Sequence, residues 1–188
     1  MTILTTERLL LRPWQEQDAE ALYRYAKDPA IGPIAGWHPH QSVEESRTII
    51  RTVFSAPETY AVCLHDTGEP VGCIGLQTGD AANLPLAERE AELGYWIGQP
   101  HWGNGYIPEA AQALIAHAFD DLGLAALWCC CNDDNAQSKR VMEKCRFAFM
   151  RREERPVFAD DQESWTFTGE TRIEYICRLT RDVWETGK

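Results

Sequence analysis

Residues 92–109 of the chain read Glu92-Leu93-Gly94-Tyr95-Trp96-Ile97-Gly98-Gln99-Pro100-His101-Trp102-Gly103-Asn104-Gly105-Tyr106-Ile107-Pro108-Glu109. The pattern predicts a strand that ends near Ile97, a turn with glycines at positions 103 and 105, and a helix with Pro108 near its start. Glycine lets the backbone approach a ligand closely, and the helix dipole makes the N–H groups at a helix N-terminus favourable for an anion. The stretch therefore predicts a phosphate or diphosphate site between a strand and a helix.

Two common phosphate-binding patterns do not fit this stretch. A P-loop requires Gly-Lys-Ser/Thr, but Gly105 is followed by Tyr106 and Ile107. A dinucleotide-binding fold calls for a third glycine at position 108, where this chain has Pro108. It also calls for an acid that closes the next strand, and that strand ends in the cysteines 129–131. The diphosphate of coenzyme A is the third ligand to consider.

Hydrophobic periodicity on both sides of the turn predicts a mixed α/β (α+β) fold, with helices on both faces of a sheet of about seven strands. Strands are predicted at residues 8–12, 60–65, 71–78, 88–97, 124–131, 147–157 and 172–179. Helices are predicted at residues 18–27, 42–54, 108–122 and 135–144. Ser42-x-x-Glu45 is a capping box for the second helix, and Gly123 is expected to stop the third. The acidic segment 159–170 is predicted to be a loop inserted between the last two strands.

Length and charge limit the classes of function. The 188 residues fit one domain, and 44% hydrophobic with 25% charged residues is typical of a globular protein. Eighteen basic and 29 acidic residues give a net charge of −11, which disfavours nucleic acid as the main partner. The same charge favours a cationic partner, such as an amine or a basic peptide.

The sequence predicts a cytoplasmic protein with no membrane span. Its longest apolar run, Leu122–Cys131, is about half of the ~18 residues needed to cross a bilayer. The segment Met1–Arg8 has no basic region followed by an apolar stretch, so no secretory signal is predicted. The seven cysteines are therefore expected to be reduced thiols.

Neither the cysteines nor the histidines predict a metal site. Cysteines 129–131 are consecutive on a predicted strand, where alternate side chains face opposite ways and cannot converge on one ion. They are interpreted as buried structural thiols rather than as a nucleophile or a metal site. His38 and His40 are assigned to a loop near an acceptor pocket, where Trp37 either forms a wall of the pocket or packs in the core.

The segment Trp102-Gly103-Asn104-Gly105-Tyr106-Ile107 resembles the acyl-CoA turn of the GNAT N-acetyltransferases, whose pattern is Arg or Gln, two residues, Gly, one residue, then Gly or Ala. The tryptophan before the first glycine resembles the RimJ/RimL-like branch, which contains the ribosomal-protein N-terminal acetyltransferases. Residues 6–12 resemble the opening strand of that branch, residues 71–75 its third strand, and residues 135–147 its second CoA motif. The resemblance covers nearly the whole chain. It implies a single domain over residues 1–188, a mostly antiparallel sheet, and acetyl-CoA as co-substrate without a metal.

The resemblance also implies roles for individual residues. The CoA diphosphate and pantetheine would be held by Trp102, Gly103, Asn104, Gly105, Tyr106, Ile107 and Asn135. A backbone N–H near Trp96 or Ile97 would meet the oxyanion. Glu92 would be the general base, with Glu90 on the same face as a second candidate, and Ser138 would lie near the sulfur as a donor to the leaving thiolate. The alternative interpretations are a solvated edge carboxylate for either glutamate and a simple helix cap for Asn135.

Three positions depart from the family pattern. Ile107 stands where relatives have a small residue, which is expected to reshape the turn slightly. Arg146 replaces the glycine that precedes Phe147, which is expected to strain that turn. Met142 stands where many relatives carry a tyrosine general acid, and it has no proton to donate.

The function predicted from the resemblance is acetyl transfer from acetyl-CoA to a primary amine, by direct attack in a ternary complex without an acyl-enzyme. The acceptor is a protein N-terminus or a small molecule. An aminoglycoside or polyamine acetyltransferase is the alternative within the same class, and a non-catalytic acyl-CoA-binding module is the alternative outside it. A nucleotide-binding fold is a third alternative. The sequence leaves the acceptor and the oligomeric state open, with a homodimer as one option.

Overall fold

Eight strands form one sheet within residues 2–160 and 165–187, which the computed structural model describes. The strand order is β1-β2-β3-β4-β5-β6-β8-β7. Over these residues β5 and β6 pair in parallel and every other ladder is antiparallel, which confirms the predicted fold class. The strands are β1 (Leu4–Thr5), β2 (Leu9–Pro13), β3 (Thr59–Leu64), β4 (Pro70–Gln77), β5 (Glu90–Ile97), β6 (Ala126–Asn132), β7 (Ala148–Asp160) and β8 (Trp165–Thr180).

Helices cover both faces of the sheet, as predicted. Val62 of β3 packs in the same core cluster as Leu114 of helix α4 (Tyr106–Asp120), whereas the next residue, Cys63, packs with Leu22 of α1 (Ala19–Ala26) and Ile50 of α3 (Val43–Thr52). This alternation is what a strand covered on two sides requires. Among the described residues, no helix is both long and apolar enough to cross a membrane. The helices are α1 (Ala19–Ala26), α2 (Gly32–Ala35), α3 (Val43–Thr52), α4 (Tyr106–Asp120), α5 (Ala136–Lys144) and α6 (Arg181–Glu185).

The helix start predicted at Ser42 and the helix stop predicted at Gly123 are confirmed, although the Glu45 carboxylate accepts from the Gln41 N–H rather than from the Ser42 N–H of a capping box. The Ser42 hydroxyl accepts a hydrogen bond from the Glu45 backbone N–H at 3.0 Å and so caps α3. After α4, Gly123 adopts φ +65°, and the Leu124 N–H donates to the Ala118 carbonyl at 3.0 Å. This bond satisfies a carbonyl that the helix end leaves without a partner.

Four segments differ from the sequence prediction, and two of them are the short helices α2 and α6, which were not predicted. The chain begins with an additional strand, β1, which pairs Leu4 with Leu11 and is too short to show periodicity. The predicted loop 159–170 is wrong for most of its length, because β7 continues to Asp160 and β8 begins at Trp165. Antiparallel pairing there includes Ala159 with Thr166. The remainder of that predicted loop, residues 161–164, lies outside the described residues.

Candidate active site

The two parallel strands separate to form a wedge-shaped gap in the middle of the sheet. Pairing between β5 and β6 covers only Glu90–Glu92 against Ala126–Trp128 within the described residues. Beyond Glu92, β5 remains paired with β4 as far as Ile97. Beyond Trp128, β6 follows β8 instead, as far as Asn132. We call the gap between residues 93–97 and residues 129–132 the wedge.

Backbone amides of β5 face the wedge. The Gly98 N–H donates to the Val71 carbonyl of the neighbouring β4 ladder at 2.8 Å. Because hydrogen-bonding direction alternates along a strand, the amide of Trp96 also faces β4, and the amides of Tyr95 and Ile97 face away from it into the wedge. Of the two amides that sequence analysis offered for the oxyanion, only that of Ile97 therefore lies on the open side.

The glycine turn lies between the end of β5 and the start of α4. Gly103 and Gly105 have φ of +78° and +79°, a region that residues with a side chain rarely adopt. Gly105 is the N-cap of α4 and brings no capping side chain, so the amides of the first helical turn stay free of a side-chain cap. The Trp102 indole N–H donates to the Ile97 carbonyl at 2.9 Å and thereby ties the turn to the end of the strand.

On the opposite side of the wedge, Ser138 of α5 meets a tyrosine from β5. The Tyr95 and Ser138 hydroxyl oxygens are 2.8 Å apart, and Ser138 is buried. Burial raises the pKa of Tyr95 well above its ordinary value, so this phenol stays protonated. Asn135 is the N-cap of α5 and accepts from the Ser138 N–H at 3.0 Å, as its structural interpretation predicts.

Sequence analysis missed Tyr95. Its position in the sequence could have indicated it. Tyr95 lies an odd number of residues from both Glu92 and Trp96, and on a strand this spacing places its side chain on the opposite face of β5 from theirs. The hydroxyl of Tyr95 reaches the same serine that the resemblance assigned to the leaving sulfur. Tyr95 therefore places a protonated phenol on the side of the wedge where Met142 has no proton to donate.

Glu92 is a buried and fully partnered carboxylate. It is 2% exposed, so the interpretation as a solvated edge residue is wrong. Oε2 accepts from the backbone N–H groups of Asn83 and Leu84 at 2.7 and 3.1 Å. Oε1 accepts from the Asn83 side-chain amide and from the Cys130 thiol, each at 3.0 Å. Glu92 thus anchors the segment before β5 at the point where the wedge opens.

Glu90 lies on the same face as Glu92 but in an ion pair. Its carboxylate accepts from the Trp128 indole at 2.8 Å and from the Arg178 guanidinium at 2.6 Å. Burial raises the pKa of Glu90, but hydrogen bonds from Trp128, Arg178 and the Ala87 N–H outweigh it and leave the pKa below its ordinary value. A carboxylate with a lowered pKa is a weaker base, which counts against Glu90 as a proton acceptor.

The face that carries Glu92 also carries aromatic rings. Trp96 points to this side, 6.5 Å from the ring of Trp14 and 5.8 Å from the ring of Trp37, measured between centroids. His40 is buried and lies 2.8 Å from the Ser46 hydroxyl, and burial lowers its pKa. Trp37 packs against both core clusters, as its packing interpretation predicts, and its ring lies 5.3 Å from the His40 ring between centroids.

The consecutive cysteines alternate as predicted for a strand. Cys129 is buried in the core with α4, and Cys130 points to the opposite face and donates to Glu92. Burial and the neighbouring Glu92 raise the pKa of the Cys130 thiol, which keeps it protonated and poorly nucleophilic. Among the described residues, no group of three or more metal-ligating side chains converges.

The three departures from the family pattern have different structural consequences. Ile107 is 6% exposed, so its side chain packs inward rather than into the turn. Met142 is 1% exposed and fills the core beneath α5. Arg146 adopts φ +65° at the end of α5. This left-handed conformation strains a residue with a side chain, as the replacement of glycine at this position predicts.

The parallel strand pair opens beside a glycine turn at a helix N-terminus, which is the arrangement that the resemblance to the acyl-CoA-dependent N-acetyltransferases implies. Residues 8–148 match the family model described as the acetyltransferase (GNAT) domain, and the chain belongs to that family. The predicted resemblance is thereby confirmed, and an enzyme is favoured over a non-catalytic CoA-binding module.

Individual relatives agree with this assignment. The chain is 33% identical over 146 residues to the ribosomal-protein-serine acetyltransferase of Escherichia coli, covering 74% of this chain and 79% of that protein. It is 30% identical over 150 residues to a Bacillus subtilis protein described as the uncharacterized N-acetyltransferase YoaA, covering 77% of this chain and 82% of that one.

Solved structures support the fold. An acetyltransferase of the GNAT family from Bacillus anthracis superposes with a TM-score of 0.80 at 23% identity, over 96% of this chain and 99% of that one. An acetyltransferase from Agrobacterium tumefaciens gives a TM-score of 0.68 at 26% identity, over 96% and 95%.

Proposed function

We propose that the chain, acting as a single domain, transfers the acetyl group of acetyl-CoA to a primary amine by direct attack in a ternary complex. The observation that carries this proposal is the wedge, where the Tyr95 and Ile97 amides face an opening that leads to the turn before α4. A pantetheine arm in that opening would complete the interrupted ladder, and its diphosphate would meet the amides at the helix N-terminus.

In the proposed reaction, the amine nitrogen forms a bond to the acetyl carbon and the carbon–sulfur bond breaks. The Ile97 N–H donates to the carbonyl oxygen as negative charge develops on it. The bond electrons leave on the CoA sulfur, where the Ser138 hydroxyl donates a hydrogen bond and Tyr95 holds that serine in place. CoA thiolate is a tolerable leaving group near neutral pH, so this contribution is modest.

Glu92 is proposed to receive the amine proton, directly or through a water. Both oxygens already have partners, but the partner at Oε1 includes a thiol, and S–H is a weak donor. An incoming proton at Oε1 would displace the weakest of the contacts. Glu90 is the poorer candidate because the Arg178 ion pair must weaken before that carboxylate can take a proton.

A protein N-terminus is the proposed acceptor. The net charge of −11 favours a cationic chain, and the relative from Escherichia coli is named as a ribosomal-protein-serine acetyltransferase. A polyamine or an aminoglycoside fits the charge as well, so the acceptor screen must include one.

The first test is calorimetric titration of acetyl-CoA into the reduced protein. Binding with micromolar affinity is expected, and Gly105→Leu should abolish it because a side chain at φ +79° strains the turn. Gly123→Leu is the matched control, because that residue has φ +65° at the other end of α4. Absence of binding to the folded wild-type protein would overturn the proposal.

The second test presents acceptors and detects acetylation by mass. A basic peptide with a free N-terminus should be acetylated, and the same peptide with a blocked N-terminus should not. Acetylation of both peptides would point to lysine side chains, and turnover of spermidine alone would favour the small-molecule alternative.

A further inference from the structure

The segment before β2 is joined to the first turn of α4 by an ion pair and hydrogen bonds. Arg8 donates to the Glu109 carboxylate from its backbone N–H at 2.9 Å and from Nε at 2.7 Å. The Thr6 hydroxyl donates to the same carboxylate at 2.6 Å. Burial raises the pKa of Glu109, but the bonds from Thr6 and Arg8 outweigh it and lower the pKa, so the carboxylate remains charged and holds Arg8 in place.

The guanidinium of Arg8 lies directly beside the glycine turn. Nη1 donates to the Asn104 carbonyl at 3.0 Å, and the group stacks over the Tyr106 ring at 4.8 Å. A Cβ at Gly105 would lie only 3.6 Å from Nη2. Glu109 and Asn104 engage three of the five N–H groups, and the other two have no partner among the described residues. The Arg8 side chain is 44% exposed, so these two face solvent beside the N-cap of α4.

The strands, turn and helix that surround the predicted diphosphate position supply no arginine or lysine of their own. No lysine or arginine occurs from residue 90 to residue 138, a stretch that contains β5, the turn, α4 and β6. Pro100 stands at the Arg or Gln position of the family pattern for the turn. A diphosphate bound there would depend on backbone amides alone, in a protein whose net charge is −11, unless a cation came from another element.

We propose that Arg8 is a phosphate-binding residue, and that Thr6 and Glu109 hold its guanidinium against the turn so that its two remaining N–H groups contact the diphosphate of acetyl-CoA. This inference rests on the proposed function. A planar guanidinium with two adjacent donors suits a phosphate better than an ammonium does, because it contacts two oxygens at once.

The test compares acetyl-CoA with S-acetylpantetheine, which lacks the diphosphate together with the 3′-phosphorylated adenosine, by calorimetry at two salt concentrations. Arg8→Met should weaken acetyl-CoA binding by about 10-fold, leave S-acetylpantetheine binding unchanged and reduce the salt dependence. The affinity of Arg8→Lys for acetyl-CoA should lie between those of the wild type and Arg8→Met, because lysine keeps the charge but cannot contact two oxygens at once. Arg47→Met on α3 removes the same charge far from the turn and should change neither affinity.

Three results would overturn the inference. Wild-type affinity of Arg8→Met for acetyl-CoA would show that the guanidinium does not contact phosphate. An equal loss for both ligands, in Arg8→Met and Arg8→Lys alike, would show that Arg8 only shapes the turn. If the wild-type protein itself bound no acetyl-CoA, the proposed function would be overturned, and this inference, which rests on it, would be overturned as well.

Discussion

The two halves of β5 satisfy their polar groups in opposite ways. In the half paired with β6, the buried Glu92 and the partly buried Glu90 both accept hydrogen bonds from donors that the protein itself provides. In the half beside the wedge, the amides of Tyr95 and Ile97 face an opening where the partner strand has departed. The same strand is therefore closed at its start and open at its end.

This difference shows how a rigid sheet can hold an incomplete ladder. Unpaired backbone amides are costly when buried, so they persist beside solvent or a ligand. The contacts of Glu92 with Asn83, Leu84 and Cys130 fix the strand just before the opening, so that the amides beyond it do not collapse onto β6. Variants that alter one half at a time can therefore separate two proposed roles, binding of the thioester by the open half and removal of the amine proton by the closed half.

Ile97→Pro tests the open half most directly, because proline removes the amide and leaves the β4 ladder intact. We expect the variant to fold and kcat to fall by about 10²–10³-fold, the usual cost of one oxyanion donor. Ile97→Leu, which keeps the amide, should retain activity. Steady-state kinetics with circular dichroism as a folding check measure both effects.

Trp96→Pro completes the comparison at the neighbouring position. The Trp96 amide faces β4, so its removal should lower the free energy of unfolding through loss of a ladder hydrogen bond. If Ile97→Pro were fully active while Trp96→Pro folded and lost activity, the assignment of the two amides would have to be reversed.

Glu92→Gln tests the closed half. We expect kcat to fall by about 100-fold, because the amide cannot accept the amine proton, with unchanged affinity for acetyl-CoA. Glu90→Gln is the matched control on the same face and should leave kcat near the wild-type value. A Glu92→Gln variant that lost thermal stability and acetyl-CoA affinity but kept turnover would show that the carboxylate only anchors residues 83–84.

Ser138→Ala and Tyr95→Phe test the contact across the wedge, and their effects should be smaller. Each is expected to lower kcat by about 10-fold, since a hydrogen bond to the leaving thiolate assists a departure that is already feasible. The double variant should cost little more than either single one, because the two hydroxyls act through one contact. Additive losses, or a change confined to KM, would contradict a shared role at the sulfur.

The sequence predicted the parts of this molecule that depend on local pattern. The glycines at 103 and 105, the helix that follows and the cap at Ser42 are fixed by residues near in sequence. The partners of Glu92 and the contact of Tyr95 with Ser138 join residues on different elements. The prediction of a loop at residues 159–170 was wrong. It rested on the acidic composition of the segment, whereas pairing with an antiparallel partner strand stabilises most of that segment as strand.

Arg146 offers the last and smallest test, because it holds a left-handed turn at φ +65° that no ligand needs to approach. The Phe147 N–H donates to the Met142 carbonyl at 2.9 Å across this turn, so the conformation is fixed by the end of α5. Arg146→Gly should relieve the side-chain strain and raise the free energy of unfolding by about 1 kcal/mol, less than the full relief because glycine gains freedom when unfolded. Arg140→Gly, inside the same helix, should instead destabilise by about 1 kcal/mol. Denaturant midpoints measure both, and a destabilised Arg146→Gly would mean that the guanidinium packing against Gly187 outweighs the backbone strain.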